Sequence, residues 1–175
     1  TEQVQAALRQ IGISSDNPQG LFISGYFAEE EKRFAIPYNM VLASNVDELN
    51  FLAARLETLS AGERAELNAA LQAPQSELSS IGKITDFPEN VEYYVYLPDV
   101  RGPAQLGDYY LNRSGMVNMP DEWKGGINTA QFGRYVAQQE QGAFTQYGYL
   151  VKSGDVWQKV HEGQPVPEEY RVLSF

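Results

Sequence analysis

Residues 44–74 read SNVDELNFLAARLETLSAGERAELNAALQAP and predict two consecutive helices. Leu49, Leu52, Leu56 and Leu59 recur at every third or fourth position, the spacing that places them on one face of a helix. A polar residue followed three positions later by glutamate occurs at Asn45 and again at Ser60. That pattern is a capping box, in which the first residue and the glutamate satisfy each other's backbone amides at a helix start. With Pro74 ending the second helix, the segment predicts a helical hairpin.

Short strands are predicted on both sides of this hairpin. Apolar and β-branched runs predict strands over residues 21–27, 34–43 and 91–97. Two further runs, 147–152 and 156–160, flank a Ser-Gly-Asp turn and predict a β-hairpin. Pro37 places the second strand at a sheet edge or a bulge.

Helical patterns complete the chain. Residues 1–11 and 104–115 predict short helices, and 119–126 predict a turn or a single helical turn. Residues 128–142 predict a helix that buries Phe132, Tyr135 and Val136 on one face and ends at Gly142. The fold class expected is α+β, with small mixed subdomains that combine the helical hairpin with short sheets. We expect three segments: a β-containing part at 1–43, the hairpin at 44–80, and an α+β domain at 81–175.

The charge of the chain is concentrated in its middle. The net charge is −10, and residues 44–123 carry 13 acids against 5 bases, a balance of −8. Residues 124–150 carry 1 acid and 2 bases. Direct binding of nucleic acid is disfavoured, because neutralising phosphates requires clustered lysine and arginine. The acidity serves either general solubility or the binding of a protein whose own site is basic.

Other functional classes receive little support from the sequence. No run of about 18 apolar residues predicts a membrane helix, and residues 1–10 lack the features of a secretory signal. The chain has no cysteine, so we expect a cytoplasmic protein without disulfides. His161 is the only histidine, and it is interpreted as an exposed residue at a strand end. No metal-binding, phosphate-binding or nucleophile motif is present, so neither a cofactor nor a catalytic residue is predicted. An enzyme of unknown class remains the least favoured alternative.

Four short pieces stand in order between residues 106 and 150. They contain Gly115, Met116, Val117, Met119, Pro120, Asp121, Glu122, Phe132, Gly133, Arg134, Phe144, Thr145, Gln146, Tyr147, Gly148 and Tyr149. Their order and spacing resemble the C-terminal part of ArdA-type antirestriction proteins. The resemblance extends over about 44–150, whereas residues 1–43 and 151–175 do not align with the family pattern.

The resemblance implies a non-catalytic, acidic protein that imitates the charge layout of B-form DNA. Such proteins are carried by mobile elements such as conjugative transposons, and are often elongated and dimeric. They occupy the DNA-binding cleft formed by the modification and specificity subunits of type I restriction–modification enzymes. The acids expected to form the partner-binding surface are Asp47, Glu48, Glu57, Glu63, Glu66, Asp86, Glu89, Glu92, Asp99, Asp108, Asp121 and Glu122.

A second reading is a protein-interaction module that shares this fold but binds another partner. The family pattern has an acid where this chain has Tyr135, and the 124–150 segment is not acidic. Tyr109 and Tyr110, beside Asp108, are candidates for a dimer interface.

Overall fold

The computed structural model describes residues 1–13 and 33–173. The chain forms two compact units that are each discontinuous in sequence. Unit 1 comprises residues 1–64, 77–90 and 158–175, and unit 2 comprises 65–76 and 91–157. The predicted strand at 21–27 lies outside the described residues. The two compact units follow other boundaries in the sequence. The division into 1–43, 44–80 and 81–175 remains a prediction.

Unit 1 is built from helices whose start signals are local. The helices are α1 (Glu2–Gln10), α2 (Tyr38–Leu42), α3 (Val46–Glu57), the first turn of α4 (Ala61–Gln72) and α5 (Ile81–Thr85). Both predicted capping boxes are confirmed. The amide of Glu48 donates to the Asn45 side chain at 2.9 Å, and the Asn45 amide donates to the Glu48 carboxylate at 3.0 Å. The equivalent pair at Ser60 closes at 3.3 and 2.7 Å.

Two sequence predictions for this region need correction. The strand predicted over 34–43 is wrong, because residues 33–37 have no regular structure and Tyr38–Leu42 form α2. Pro37 stands at the N-cap of that helix with an extended backbone, a position where a missing amide costs nothing. The helices of 44–74 exist as predicted, but α3 packs on α5 within unit 1 while most of α4 belongs to unit 2.

Unit 2 contains a three-stranded antiparallel sheet with the order β1-β3-β2. The strands are β1 (Tyr94–Leu97), β2 (Ala143–Thr145) and β3 (Gly148–Lys152). In the register, Tyr94 lies opposite Lys152 and Thr145 lies opposite Gly148. The predicted strand at 91–97 is therefore shorter than expected, since residues 91–93 form a 3₁₀ turn.

The predicted hairpin of 147–152 with 156–160 is wrong. A turn at Gln146 and Tyr147 connects β2 to β3, which pairs with it in antiparallel orientation, and residues 156–160 form no strand. The Thr145 hydroxyl organises this turn by accepting from the amides of Tyr147 (3.1 Å) and Gly148 (3.2 Å) and donating to the Gly148 carbonyl (2.8 Å). Residues 158 and 160–162 instead donate their amides to the buried side chains of Asn90 and Asp86 in unit 1, as described below.

Two helices of unit 2 pack with their backbones in contact. Helix α6 (Pro103–Asp108) continues into a π-helical turn (Tyr109–Arg113) and packs on α8 (Thr129–Glu140). A Cβ atom on Gly107 would lie 1.9 Å from the Thr129 carbonyl oxygen, and one on Gly133 would lie 1.8 Å from the Pro103 carbonyl oxygen. The two backbones therefore touch at reciprocal glycines.

Helix α8 departs from its prediction in two respects. Tyr135 is 60% exposed rather than buried, because it lies away from the face that carries Gly133 and Ala137. The left-handed residue that ends the helix is Gln141 (φ 56°), not Gly142. Gly142 has a different role, since a Cβ there would collide with the Tyr149 hydroxyl.

The core of unit 2 forms where α6, α8 and the sheet meet. Its buried members are Val100, Leu106, Ala137 and Tyr149. The helices together with one small antiparallel sheet place the protein in the α+β class, as the sequence predicted.

Candidate partner-binding surface

Four of the twelve predicted acids are exposed and have no ion-pair partner among residues 1–13 and 33–173. We call them the free acids. Their side chains extend from the end of α3, the 3₁₀ turn before β1, the loop after β1, and the one-turn helix α7 (Asp121–Lys124). Carboxylates in such positions contribute long-range attraction to a basic partner. The free acids are Glu57, Glu92, Asp99 and Glu122.

Two further acids are held at helix starts. Glu48 and Glu63 are partly exposed, and each bonds the amide of its own N-cap residue. Hydrogen bonds from the side chain and the backbone of Ser60 hold the pKa of Glu63 below its usual value. Both side chains are thus fixed in position, next to the positive ends of the two helices.

Three predicted acids are neutralised in part by nearby cations. Glu89 pairs with Arg55. The Asp108 carboxylate lies 3.5 Å from Arg113, and Asp121 lies 2.8 Å from Lys124. These ion pairs stay within one unit, and exposed pairs of this kind contribute about 0–1 kcal/mol to stability. Each of these carboxylates therefore presents a dipole, not an isolated negative charge, to a binding partner. Glu66, the last of the twelve predicted acids that belongs to unit 2, is partly buried.

Asp86 does not lie on the surface at all, which corrects its assignment to the partner-binding surface. It is 0% exposed. Its carboxylate accepts from the backbone amides of Val160 (3.3 Å), His161 (2.6 Å) and Glu162 (3.2 Å). A buried carboxylate is stable only when such donors replace its hydration. Asp86 therefore fixes the course of the chain after residue 158.

The Asp47 side chain also accepts hydrogen bonds from backbone amides. Its Oδ1 accepts from the amides of Val172 (2.7 Å) and Leu173 (3.2 Å). Val172 itself is 0% exposed, so this contact seats the end of the described chain in the core of unit 1. Asp47 and Asp86 stabilise the fold, and no neighbouring residue indicates this in the sequence, because their partners lie 125–126 and 74–76 positions away.

The exposed acids that the sequence analysis did not assign to the surface lie near the chain ends and after β3. They are Glu2, Asp155, Glu168 and Glu169. Glu168 and Glu169 belong to a 3₁₀ turn (Glu168–Tyr170). Only their solvent exposure in the structure distinguishes these four acids from buried ones, and exposure cannot be read from the composition.

His161 is not an exposed strand-end residue. It is partly buried, and its ring lies edge-on to Phe51 with 5.0 Å between the centroids. Its backbone amide, not its imidazole, bonds Asp86. The buried carboxylate nearest to it therefore does not form an acid–histidine pair of the kind used in general base catalysis.

The motif residues have structural roles in unit 2. Gly133 allows the α6–α8 contact, and Gly148 (φ 150°) turns the chain where a Cβ would lie 2.6 Å from the Leu97 carbonyl oxygen. The hydroxyl of Tyr149 donates to Glu140 at 2.5 Å, and that of Tyr110 donates to the other Glu140 oxygen at 2.7 Å. Burial, followed by the hydrogen bond to Glu140, raises the pKa of both tyrosines.

The remaining motif positions divide between turns, core and surface. Gly115 (φ 71°) follows the π-helical turn, and Pro120 is the N-cap of α7. Phe132 and Phe144 are partly buried, with Phe144 packed on Tyr149, while Arg134 is exposed. Most of the motif residues therefore lie in the turns and the packed interior of unit 2, whereas Arg134 lies on its surface.

These features together define an acidic α+β protein with exposed carboxylates on short, well-anchored elements. The chain belongs to the ArdA antirestriction protein family, whose family model matches residues 1–151. The match includes residues 1–43, which the sequence analysis did not align, and it confirms the resemblance. Comparison with curated proteins returned no match.

Family membership gives the protein an antirestriction function and a general association with restriction enzymes. Among residues 1–13 and 33–173, no helix is long and apolar enough to cross a membrane. Within the same residues, no three acidic or histidine side chains converge as metal ligands.

Proposed function

We propose that this protein is a non-catalytic DNA mimic that inhibits type I restriction–modification enzymes in the cytoplasm. It occupies the DNA-binding cleft of the modification and specificity subunits. The observation that carries the proposal is the set of free acids, Glu57, Glu92, Asp99 and Glu122, exposed on defined elements of both units. A cleft that binds DNA presents basic groups to phosphates, and carboxylates on a folded scaffold interact with those groups in the same way.

The burial of Asp86 and the engagement of Asp47 sharpen the proposal. The electrostatic contribution rests on fewer groups than the −8 balance of residues 44–123 suggests, because several acids are used within the fold. Glu48 and Glu63 add charge whose position is fixed by the capping boxes. We expect partner affinity to depend on the sum of many modest contributions, since each exposed pair with the enzyme is screened by salt.

Replacing all four free acids by their amides (Glu57→Gln, Glu92→Gln, Asp99→Asn and Glu122→Gln) tests this assignment. Inhibition of DNA cleavage by a purified type I enzyme should need roughly tenfold to hundredfold more protein, and raising the salt concentration should weaken the variant less than the wild type. The matched control exchanges aspartate and glutamate at the same positions and retains the charge. It should inhibit within about threefold of the wild type.

Equal inhibition by the amide variant and the wild type would refute the assignment of the free acids. If the wild-type protein in excess leaves cleavage unchanged, the proposed function itself fails.

A second candidate function is supported by the outer face of α8. It exposes Arg134 and Tyr135 together with Gln131, Gln138 and Gln139, and it carries no acid. Such a face suits a protein contact that does not depend on negative charge, as in an interaction module of a mobile element with another partner. Affinity capture from host lysate distinguishes the two functions, because mimicry predicts that a modification–specificity complex is recovered.

The same face is also our candidate for a homodimer interface, since two acidic chains repel each other least where acids are absent. Tyr109 and Tyr110 are less suited to that role, because Tyr110 is engaged with Glu140 and both rings pack against the core of unit 2. Sedimentation should give a dimer for the wild type and a monomer for Tyr135→Asp. A Gln139→Asp control adds the same charge without removing the aromatic ring, and we expect it to weaken the dimer less.

A further inference from the structure

Trp123 is 68% exposed in helix α7, although tryptophan is among the most buried residues on average. Within residues 1–13 and 33–173, its indole makes no hydrogen bond and no contact with another aromatic ring. Trp157 provides the contrast, since its ring lies edge-on to Tyr93 with 5.1 Å between the centroids. Packing within unit 2 therefore does not explain the tryptophan at 123.

The turn that carries Trp123 is held in place. The Trp123 amide donates to the Pro120 carbonyl at 3.0 Å, and the Gly126 amide donates to the Trp123 carbonyl at 3.0 Å. Lys124, whose side chain is 19% exposed, pairs with Asp121 at 2.8 Å across the same turn. An aromatic side chain on an ordered backbone loses little entropy when it binds, and tryptophan is enriched among the residues that dominate interface energies.

The immediate surroundings of the indole are negatively charged. Asp121 and Glu122 precede it, and both are exposed. The Asp121 carboxylate is engaged by Lys124, and the hydrogen bond from that lysine lowers the pKa of Asp121. Glu122 is one of the free acids. The turn thus presents a planar aromatic group next to carboxylates, as an extrahelical nucleotide presents a base next to phosphates.

We propose that Trp123 substitutes for a flipped base and inserts its indole into the base-binding pocket of the modification subunit. This inference rests on the proposed function. DNA methyltransferases rotate the target nucleotide out of the duplex into a pocket where it stacks between aromatic or apolar side chains. A protein that occupies the DNA cleft meets that pocket, and a projecting indole with adjacent carboxylates matches its apolar interior and basic surroundings.

The first test is a set of affinities for a purified modification–specificity complex. Trp123→Ala should bind about 30-fold more weakly, whereas Trp123→Phe retains a ring and should lose only a few fold. The salt dependence of binding should stay as in the wild type, because no charge is removed. Met116→Ala is the matched control: Met116 is 75% exposed in the preceding loop, and its removal should change the affinity by less than about twofold.

The second test locates the contact. In a Trp157→Phe background, Trp123 is the only tryptophan, and its emission should shift to shorter wavelength and be quenched when the complex binds. A modification subunit whose pocket aromatic residue is replaced by alanine should bind wild-type protein more weakly and should no longer distinguish it from Trp123→Ala. Such a double-mutant cycle isolates the interaction between the two rings.

Several results would overturn the inference while leaving the proposed function intact. One is equal affinity of Trp123→Ala and wild type. Another is a loss with Trp123→Ala that is the same for the intact and the altered pocket, which places the contact elsewhere on the enzyme. A third is a change of self-association in Trp123→Ala that accounts for the whole loss. Failure of the wild-type protein to bind the complex would instead reject the proposed function.

Discussion

Replacing Gly133 by alanine should destabilise the protein by about 3 kcal/mol, which corresponds to a fall in melting temperature of roughly 10 °C for a chain of this size. The added Cβ would lie 1.8 Å from the Pro103 carbonyl oxygen and 2.8 Å from the Gly107 amide nitrogen. Both are backbone atoms, so the clash cannot be relieved by rotating a side chain. Helices α6 and α8 would have to move apart, and the core around Leu106 and Ala137 would open. Thermal unfolding followed by circular dichroism measures the effect.

Gly62→Ala is the matched control for that substitution. Gly62 lies in the first turn of α4 with nothing within 4 Å of the position that a Cβ would take. Alanine there should leave stability unchanged or raise it by about 0.5–1 kcal/mol, since it lowers the entropy of the unfolded chain. Equal melting temperatures for Gly133→Ala and wild type would contradict the described contact between α6 and α8.

Asp86→Ala should cost about 3–5 kcal/mol, comparable with removing one partner of a buried ion pair. Three backbone amides would lose their acceptor in a site without exposed surface. Asp86→Asn should be nearly as damaging, because its amide group places a donor where the amides of 160–162 require acceptors. Chemical denaturation gives the loss of stability. Hydrogen exchange should show that the amides of residues 160–162 lose their protection first.

Asp99→Asn serves as the control for Asp86, since it removes one carboxylate from an exposed position. Its effect on stability should stay within about 0.5 kcal/mol. If Asp86→Asn unfolds at the same denaturant concentration as the wild type, the buried amide cluster does not exist as described. If Asp86→Asn instead weakens binding to the partner without a loss of stability, the sequence-based assignment of Asp86 to the binding surface was correct.

Structural features that depend on residues close together in the sequence could be predicted. Both capping boxes follow from pairs three positions apart, Asn45 with Glu48 and Ser60 with Glu63. Gly133 belongs to the motif that carries the family resemblance, but its contact with the Pro103 carbonyl oxygen became visible only in the structure. The charge balance of residues 44–123 was visible in the composition, although its distribution between buried and exposed positions was not.

Features that depend on distant partners could not be predicted. The strand expected at 156–160 has an apolar pattern of strand type, yet the Gln158 amide donates to Asn90 at 2.7 Å and the amides of residues 160–162 donate to Asp86. The apolar stripe on α8 suggested that Tyr135 is buried, but the reciprocal glycines turn another face of the helix toward α6. Buried and exposed acids look alike in a sequence, which is why Asp86 and Glu57 were assigned to the same surface.

Direct competition with DNA tests whether the exposed acids bring this protein into the DNA-binding cleft of a type I enzyme. A labelled duplex that carries the recognition sequence is bound to a modification–specificity complex, and the wild-type protein is added at low and at high salt. We expect stoichiometric displacement of the duplex at low salt and a steep loss of affinity as salt rises. A ternary complex that retains the duplex, or an affinity that does not change with salt, would contradict this expectation.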